Sequence, residues 1–199
     1  MPLSGYPKSI RLRDGSSALL RPLGRYDGKP LLEFYQGLPE EERMSLRGDV
    51  TKPEWVRRFL ELVGSGEVLS FGVEIRGVLV GAGSLYRPTH GWSSHVGELR
   101  ISVASGYRRK GVGSILASVL VRVARSVGVE KIVAHMVAQQ GAALRTFERL
   151  GFTPEAVLKD QVKDLAGHKH DLLVYSSDVA HIWETVEAIV ADFNSESAG

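Results

Sequence analysis

The most informative segment of this sequence is Val103-Ala104-Ser105-Gly106-Tyr107-Arg108-Arg109-Lys110-Gly111-Val112-Gly113. The residues just before it, 98–103, alternate polar and apolar side chains, a pattern typical of a strand with one buried face. After it, apolar residues recur at helical spacing as far as Val127, and Gly128 stands where a helix C-terminus favours a residue without Cβ. The sequence therefore predicts a strand, a basic glycine-rich loop and an amphipathic helix, in that order.

This order of elements predicts an anion site at the start of the helix. A helix N-terminus leaves backbone N–H groups unpaired and carries a partial positive charge, so it favours a phosphate docked on the main chain. Gly111 and Gly113 would let a ligand approach the backbone closely. The basic residues that would add charge-assisted hydrogen bonds are Arg108, Arg109 and Lys110. A solvated basic turn is the alternative, but strand, loop, glycines and helix together favour the phosphate site.

Two other phosphate-binding motifs do not fit the same residues. Gly106 and Gly111 have the glycine spacing of a P-loop, but Val112-Gly113 stands where that motif requires Lys followed by Ser or Thr. The dinucleotide fingerprint requires a third Gly or Ala, and Leu116 occupies that position. The pattern that remains is Arg-x-x-Gly-x-Gly.

With Arg108, Gly111 and Gly113 in this pattern, the chain resembles the GNAT superfamily of N-acetyltransferases, whose central motif is Gln/Arg-x-x-Gly-x-Gly/Ala. A second family pattern, Asn-x-x-Ala-x-x-x-Tyr-x-x-x-Gly-Phe, is present at 140–152 with two departures. The matching residues are Ala143, Gly151 and Phe152, and the departures are Gln140 for Asn and Phe147 for Tyr. The resemblance extends from about Arg11 to Ser177.

The resemblance implies an α/β fold, with a mixed, mainly antiparallel sheet flanked by helices and split around acetyl-CoA, the co-substrate. In that family the loop amides hold the pyrophosphate, and the preceding strand contacts the pantetheine arm and the thioester. The residues assigned to acetyl-CoA on this basis are Ile101, Ser102, Val103, Arg108, Arg109, Lys110, Gly111, Val112, Gly113, Ser114 and Gln140.

The acceptor is expected to be a primary amine. Arg13-Asp14-Gly15 and the segment 37–43 are similar to bacterial GNAT domains that acetylate protein lysines, so a protein lysine is the first expectation. A protein N-terminus and a small amine, such as a polyamine, amino acid or aminoglycoside, are the alternatives. A catalytically silent acyl-CoA-binding or interaction module is the alternative from another class.

Glu98 is the candidate general base, because acyl transfer to an amine requires a group that removes a proton. It lies ten residues before Arg108, the spacing at which the histone acetyltransferase branch of the family places its catalytic glutamate. Strand alternation puts Glu98 on one face with Arg100 and Ser102. An exposed strand carboxylate paired with Arg100 is the structural alternative.

The general acid is not identified by the pattern, because Phe147 replaces the tyrosine that often protonates the leaving thiolate in this family. Solvent or Tyr107 would have to supply that proton. His135, inside an apolar strand, is interpreted as a buried structural residue. The cluster His168-Lys169-His170-Asp171 is interpreted as a polar turn, because no further His or Cys completes a zinc site, and no metal is expected.

Composition excludes several classes of protein. The chain has 199 residues, no cysteine and a formal net charge of +2, which excludes disulfides and an acyl-cysteine route and argues against a nucleic-acid partner. No apolar run reaches the length of a membrane span, and 1–5 begins no signal-like segment. A cytoplasmic protein is therefore expected.

The remaining patterns predict one domain over 1–199. Hairpins are expected at 9–22 and 69–85. Short helices are expected between them: the first ends near Gly37, and a later one begins at Thr51-Lys52-Pro53-Glu54. A strand at 132–137, a helix at 142–150 and strands at 152–163 and 171–177 follow the central helix. An extra amphipathic C-terminal helix is expected at about 181–193, before a frayed tail at 194–199. This helix would pad the sheet, or contact a second subunit in a homodimer.

Overall fold

The computed structural model describes residues 5–43, 46, 48–164 and 166–195; Glu41 and 190–195 are described by their backbone only. The strands are β1 (Lys8–Arg11), β2 (Ser17–Pro22), β3 (Val68–Ile75), β4 (Val78–Tyr86), β5 (Val96–Val103), β6 (Lys131–Val137), β7 (Thr153–Lys163) and β8 (Lys169–Asp178). The helices are α1 (Gly28–Gln36), α2 (Glu40–Arg43), α3 (Pro53–Ser65), α4 (Val112–Ser126), α5 (Gly141–Arg149) and α6 (Val179–Ser195).

The strands form one sheet in the order β1-β2-β3-β4-β5-β6-β8-β7. Every neighbouring pair is antiparallel except β5 and β6, which are parallel and are joined through α4. The predicted fold class, a mixed, mainly antiparallel sheet flanked by helices, is confirmed. The predicted hairpins and short helices are confirmed as well, with ends that differ by a few residues.

The parallel pair is short, and this feature creates the central gap of the sheet. β5 and β6 pair only through Val96–Glu98 and Lys131–Val133. Beyond these residues β5 continues against β4 to Val103, and β6 continues against β8 to Val137. The two strands therefore separate towards the end of β5 that leads into the basic loop.

Helix α4 covers one face of the sheet, and most of its length is buried in the main core. Two glycines of β4 lie beneath it and allow a close approach. A Cβ on Gly81 would lie 2.5 Å from Cγ1 of Val112, and a Cβ on Gly83 would lie 2.8 Å from Cδ1 of Leu120. The packing of α4 on these glycines thus fixes the position of its N-terminus beside the end of β5.

On the opposite face, α1 and α3 cover β3 and β4 around a second apolar cluster. Pro53 occupies the first turn of α3, as the sequence predicts, and Gly66 closes its C-terminus in the left-handed conformation at φ 81°.

The C-terminal helix α6 spans Val179–Ser195, so it is longer than predicted and includes part of the expected tail; 196–199 lie outside the described residues. It packs mainly on α4 rather than on the sheet, and Ile182 and Val186 are buried. The guanidinium of Arg125 lies 4.0 Å from the ring centre of Trp183. The single domain over 1–199 stays a prediction. None of the described helices is long and apolar enough to cross a membrane.

Candidate active site

The basic loop lies at the open end of the gap between β5 and β6. A short 3₁₀ turn at Ser105–Tyr107 follows β5, and Gly111 is the N-cap residue of α4 at φ 91°, a conformation that favours glycine. Among the described residues no side chain caps this helix. This uncapped helix start is the arrangement that the predicted anion site would require.

The cations of the loop are held by carboxylates from other parts of the chain. Arg108 forms an ion pair with Glu42 of α2. Lys110 Nζ lies 2.9 Å from Asp14 Oδ2, and hydrogen bonds first from Ser16 and then from Lys110 lower the pKa of Asp14. Arg109 is exposed and has a left-handed backbone at φ 61°. The loop is thus tied to the β1–β2 turn and to α2.

The predicted pantetheine contacts border the gap. Ile101, Ser102 and Val103 lie on the part of β5 that pairs with β4 but no longer with β6. Gln140 lies across the gap as the N-cap residue of α5, and its Oε1 accepts a hydrogen bond from Val137 N–H at 3.0 Å. The assigned residues are therefore distributed along both sides of one opening.

Glu98 lies where the gap begins. Its Oε1 accepts a hydrogen bond from Arg100 Nε at 2.8 Å, and its Oε2 accepts one from Arg100 Nη2 at 3.2 Å. The guanidinium of Arg100 also lies 3.9 Å from the ring centre of Tyr86. Burial by itself lowers the pKa of Arg100, but the hydrogen bonds and charge of Glu98 outweigh burial and the pKa is raised. The ion pair with Arg100 agrees with the alternative interpretation of Glu98 as an exposed carboxylate paired on the strand. The Glu98 side chain is only 16% exposed, however, which does not agree with that interpretation.

His135 is the residue that the sequence interpretation missed. Its Nδ1 lies 3.1 Å from Glu98 Oε1, and its side chain is 21% exposed rather than buried in the core. The signal was present in the alternation of β6, since His135 shares its face with Lys131 whereas Ala134 and Met136 are in the main core. Glu98, Arg100 and His135 thus form one charged cluster.

Neither departure from the second family pattern introduces an ionisable group. Phe147 is 6% exposed, and its ring packs edge-on against Phe152 with the centres 5.0 Å apart. Tyr107 follows the far end of β5 and lies under Lys110, whose Nζ is 5.0 Å from the ring centre.

A narrow cavity lies beside the charged cluster, between α1, α3 and the sheet. Its volume is about 20 Å³, enough for one water molecule. Its lining residues are Tyr35, Leu46, Trp55, Ala82, Ser84, Tyr86, Arg100 and Ser102. Burial raises the pKa of the Tyr35 hydroxyl. The cavity is therefore an aromatic recess with one cation in its wall.

Of the histidine cluster predicted as a polar turn, only His168 lies in the β7–β8 turn. Lys169, His170 and Asp171 are the first residues of β8. Asp164 Oδ2 lies 3.2 Å from His168 Nδ1 and 2.9 Å from His170 Nε2, and the hydrogen bond with His170 is the main reason that the pKa of Asp164 is lowered to about 2. Within the described ranges, no group of three or more His, Asp or Glu side chains could hold a metal ion.

A family model described as the acetyltransferase (GNAT) family matches residues 32–152, which include both motifs and Glu98. This chain belongs to the GNAT acetyltransferase family. It is an acyl-CoA-dependent N-acyltransferase with acetyl-CoA as co-substrate. No curated protein matches it significantly.

Solved GNAT structures have the same fold. The ribosomal-protein-alanine N-acetyltransferase of Brucella melitensis is 25% identical with a TM-score of 0.71, over 80% of this chain and 99% of that one. The yncA structure of Salmonella typhimurium, with its cofactor acetyl-CoA, is 21% identical with a TM-score of 0.71, over 81% and 94%. The GNAT domain of S. lividans PAT is 19% identical with a TM-score of 0.72, over 88% and 98%.

Proposed function

We propose that this GNAT acetyltransferase moves the acetyl group directly to a primary amine, and that Glu98 is the general base. The observation that carries this proposal is the position of Glu98 at the point where β5 and β6 separate, on the face away from α4. There it would accept a proton from the amine, whose nitrogen forms the new bond to the acetyl carbon. Arg100 would keep the carboxylate oriented.

The co-substrate would be held by the residues that border the gap. The first-turn amides of α4 (112–114), with Arg108, Arg109 and Lys110, would bind its pyrophosphate. The free edge of β5 at Ile101–Val103 would bind the pantetheine arm, and Gln140 would close the opposite side.

For the acceptor, we propose a lysine within a protein rather than a small free amine. A pocket that binds a whole small molecule usually encloses several hundred cubic ångströms, whereas the aromatic recess holds about 20 Å³. Beyond the recess, the face of the sheet that carries Glu98 continues across β6 and β8. Its side chains there, such as Val133 and Val174, are only half-buried. Such a face can accept an extended chain. The Brucella relative at 25% identity is named for alanine of a ribosomal protein, which supports a protein acceptor over a small free amine; the choice of lysine rests on the similarity of the segments 13–15 and 37–43 described above.

The test is a panel of acceptors, with release of free CoA as the readout. Lysine peptides, peptides with N-terminal alanine, free lysine and polyamines would be compared at equal concentration. We expect lysine peptides to react fastest, and truncation of the peptide to lower kcat as well as raise KM, because flanking contacts position the amine. Matched peptides with acetylated lysine are the control. Faster reaction of polyamines or free amino acids would reject the peptide acceptor and leave the enzyme class unchanged.

The role of Glu98 has a separate test. Glu98→Gln should retain CoA affinity by calorimetry and reduce turnover by roughly 10²- to 10⁴-fold, the usual contribution of a positioned general base. An equal kcat/KM for both proteins, measured below the pKa of the amine, would return Glu98 to a structural role. We also propose a cytoplasmic location, where acetyl-CoA is available.

A further inference from the structure

The leaving sulfur takes up a proton, and the sequence left solvent or Tyr107 as its source. Phe147, at the position of the family tyrosine, has no ionisable group and is buried against Phe152. Tyr107 lies beyond Val103, and Val103 is itself about five residues and roughly 16 Å along β5 from Glu98. A donor side chain close to Glu98 therefore has to come from another strand at the start of the gap.

His135 lies on the other strand that borders the gap. It comes two residues after Val133, the last residue of β6 that pairs with β5. Its side chain is on the same side of the sheet as Glu98, since its Nδ1 is 3.1 Å from Glu98 Oε1. Glu98 and His135 thus reach the same point from opposite sides of the opening.

The groups around His135 suit a residue that exchanges protons. Glu98 Oε1 is in direct contact with the ring at Nδ1, and Arg100 Nε contacts the same oxygen at 2.8 Å. The residue in register on β8 is the uncharged Val174. Histidine is also the side chain whose charge ordinarily changes near neutral pH, so it can lose and regain a proton in each cycle.

We propose that His135 is the general acid of this enzyme and protonates the CoA sulfur. This inference rests on the proposed function, in which Glu98 accepts the proton of the amine. The bond between nitrogen and the acetyl carbon forms, the carbon–sulfur bond breaks, and the electron pair left on sulfur takes the proton of the imidazolium. Because Nδ1 is the ring nitrogen that faces Glu98, the proton given to sulfur comes from Nε2. After product release Glu98 passes its proton to solvent and Nε2 takes one from solvent, so the cycle involves no net gain or loss of protons.

The first readout is the pH dependence of kcat. A general acid must carry a proton to act, so the wild-type kcat should fall on the alkaline side of its pH profile. His135→Asn keeps a polar amide but removes the titratable ring, and it should lose this alkaline fall, which a purely structural role of His135 would leave in place. His135→Gln is the second variant in case the first does not fold.

The second readout is the size of kcat at one pH. His135→Asn should lower kcat by roughly 10²- to 10⁴-fold with little change in acceptor KM or CoA affinity. The double variant with Glu98→Gln should reduce kcat by much less than the product of the two single reductions, because the two residues act as a unit. His168→Gln, in the exposed β7–β8 turn, is the matched histidine control and should retain wild-type turnover.

Each outcome is informative. Unchanged kcat in His135→Asn, or an alkaline fall of kcat that persists in this variant, overturns the assignment of His135, while loss of turnover in Glu98→Gln leaves the proposed function standing. A wild-type protein that binds CoA but acetylates no acceptor overturns the proposed function and the assignment of His135 with it.

Discussion

Gly81→Ala should lower both the stability of the fold and the affinity for CoA, although Gly81 is not among the residues assigned to the co-substrate. A Cβ at this position would lie 2.5 Å from Cγ1 of Val112 and 3.2 Å from Cδ1 of Leu116. The first of these contacts must widen by about 0.9 Å to become an ordinary one. Val112 cannot yield easily, because it is β-branched, 1% exposed and in the first turn of α4.

The magnitude follows from two opposing terms. Overpacking of a core site costs about 1–3 kcal/mol, whereas replacing Gly by Ala restricts the unfolded chain and returns about 0.4–1 kcal/mol. A net loss of about 1–2 kcal/mol lowers Tm by roughly 2–8 °C for a chain of this size. The displaced helix N-terminus should also weaken CoA binding several-fold, because its amides form the predicted pyrophosphate site.

Thermal unfolding and calorimetric CoA titration measure the two effects. The control is Gly64→Ala in α3, where a Cβ would meet nothing within 4 Å. That variant should keep its CoA affinity, and its free energy of unfolding should rise by up to about 1 kcal/mol, because Gly is a poor helix former. If Gly81→Ala matches the wild type in both Tm and CoA affinity, the close packing of α4 on β4 does not position the site.

Two further predictions concern charge at the loop. Gly113→Asp should weaken CoA binding about tenfold or more, because a like charge at ~6 Å costs about 1–3 kcal/mol near a protein surface. Gly113→Asn, whose side chain has the same shape but no charge, should have a much smaller effect. Equal losses of affinity by calorimetry would contradict an anion at this helix end. Glu42→Gln should release Arg108 and tighten CoA binding by roughly 1.4- to fivefold, since exposed ion pairs typically contribute about 0.2–1 kcal/mol. Glu40→Gln on the same helix should leave CoA affinity unchanged. Unchanged affinity in Glu42→Gln would mean that Arg108 does not bind the co-substrate.

Local patterns were sufficient for the elements of this fold. Two-residue alternation places Glu98 and Arg100 on one face of β5, and the observed ion pair follows from that spacing. The apolar period of α4 and the glycine at its start identify a buried helix with an open N-terminus. These signals are readable because they depend on neighbours a few residues apart.

Contacts between distant segments were not readable in this way. The pairing of Arg108 with Glu42 and the packing of α6 on α4 join parts of the chain that share no local pattern. His135 could be assigned to the exposed face of its strand, but its contact with Glu98 requires the parallel register of β5 and β6.

The strand, the basic loop and the helix that identify the family could be predicted from sequence, because turn chemistry and hydrophobic periodicity act over short distances. The place where the sheet opens depends on the pairing of distant strands and could not be predicted in this way. β5 and β6 each complete their hydrogen bonds on their outer sides, with β4 and β8, so the pair can separate after Glu98 while each strand retains a partner. That separation brings a carboxylate and an imidazole from two strands to the same point, where the proposed chemistry would take place.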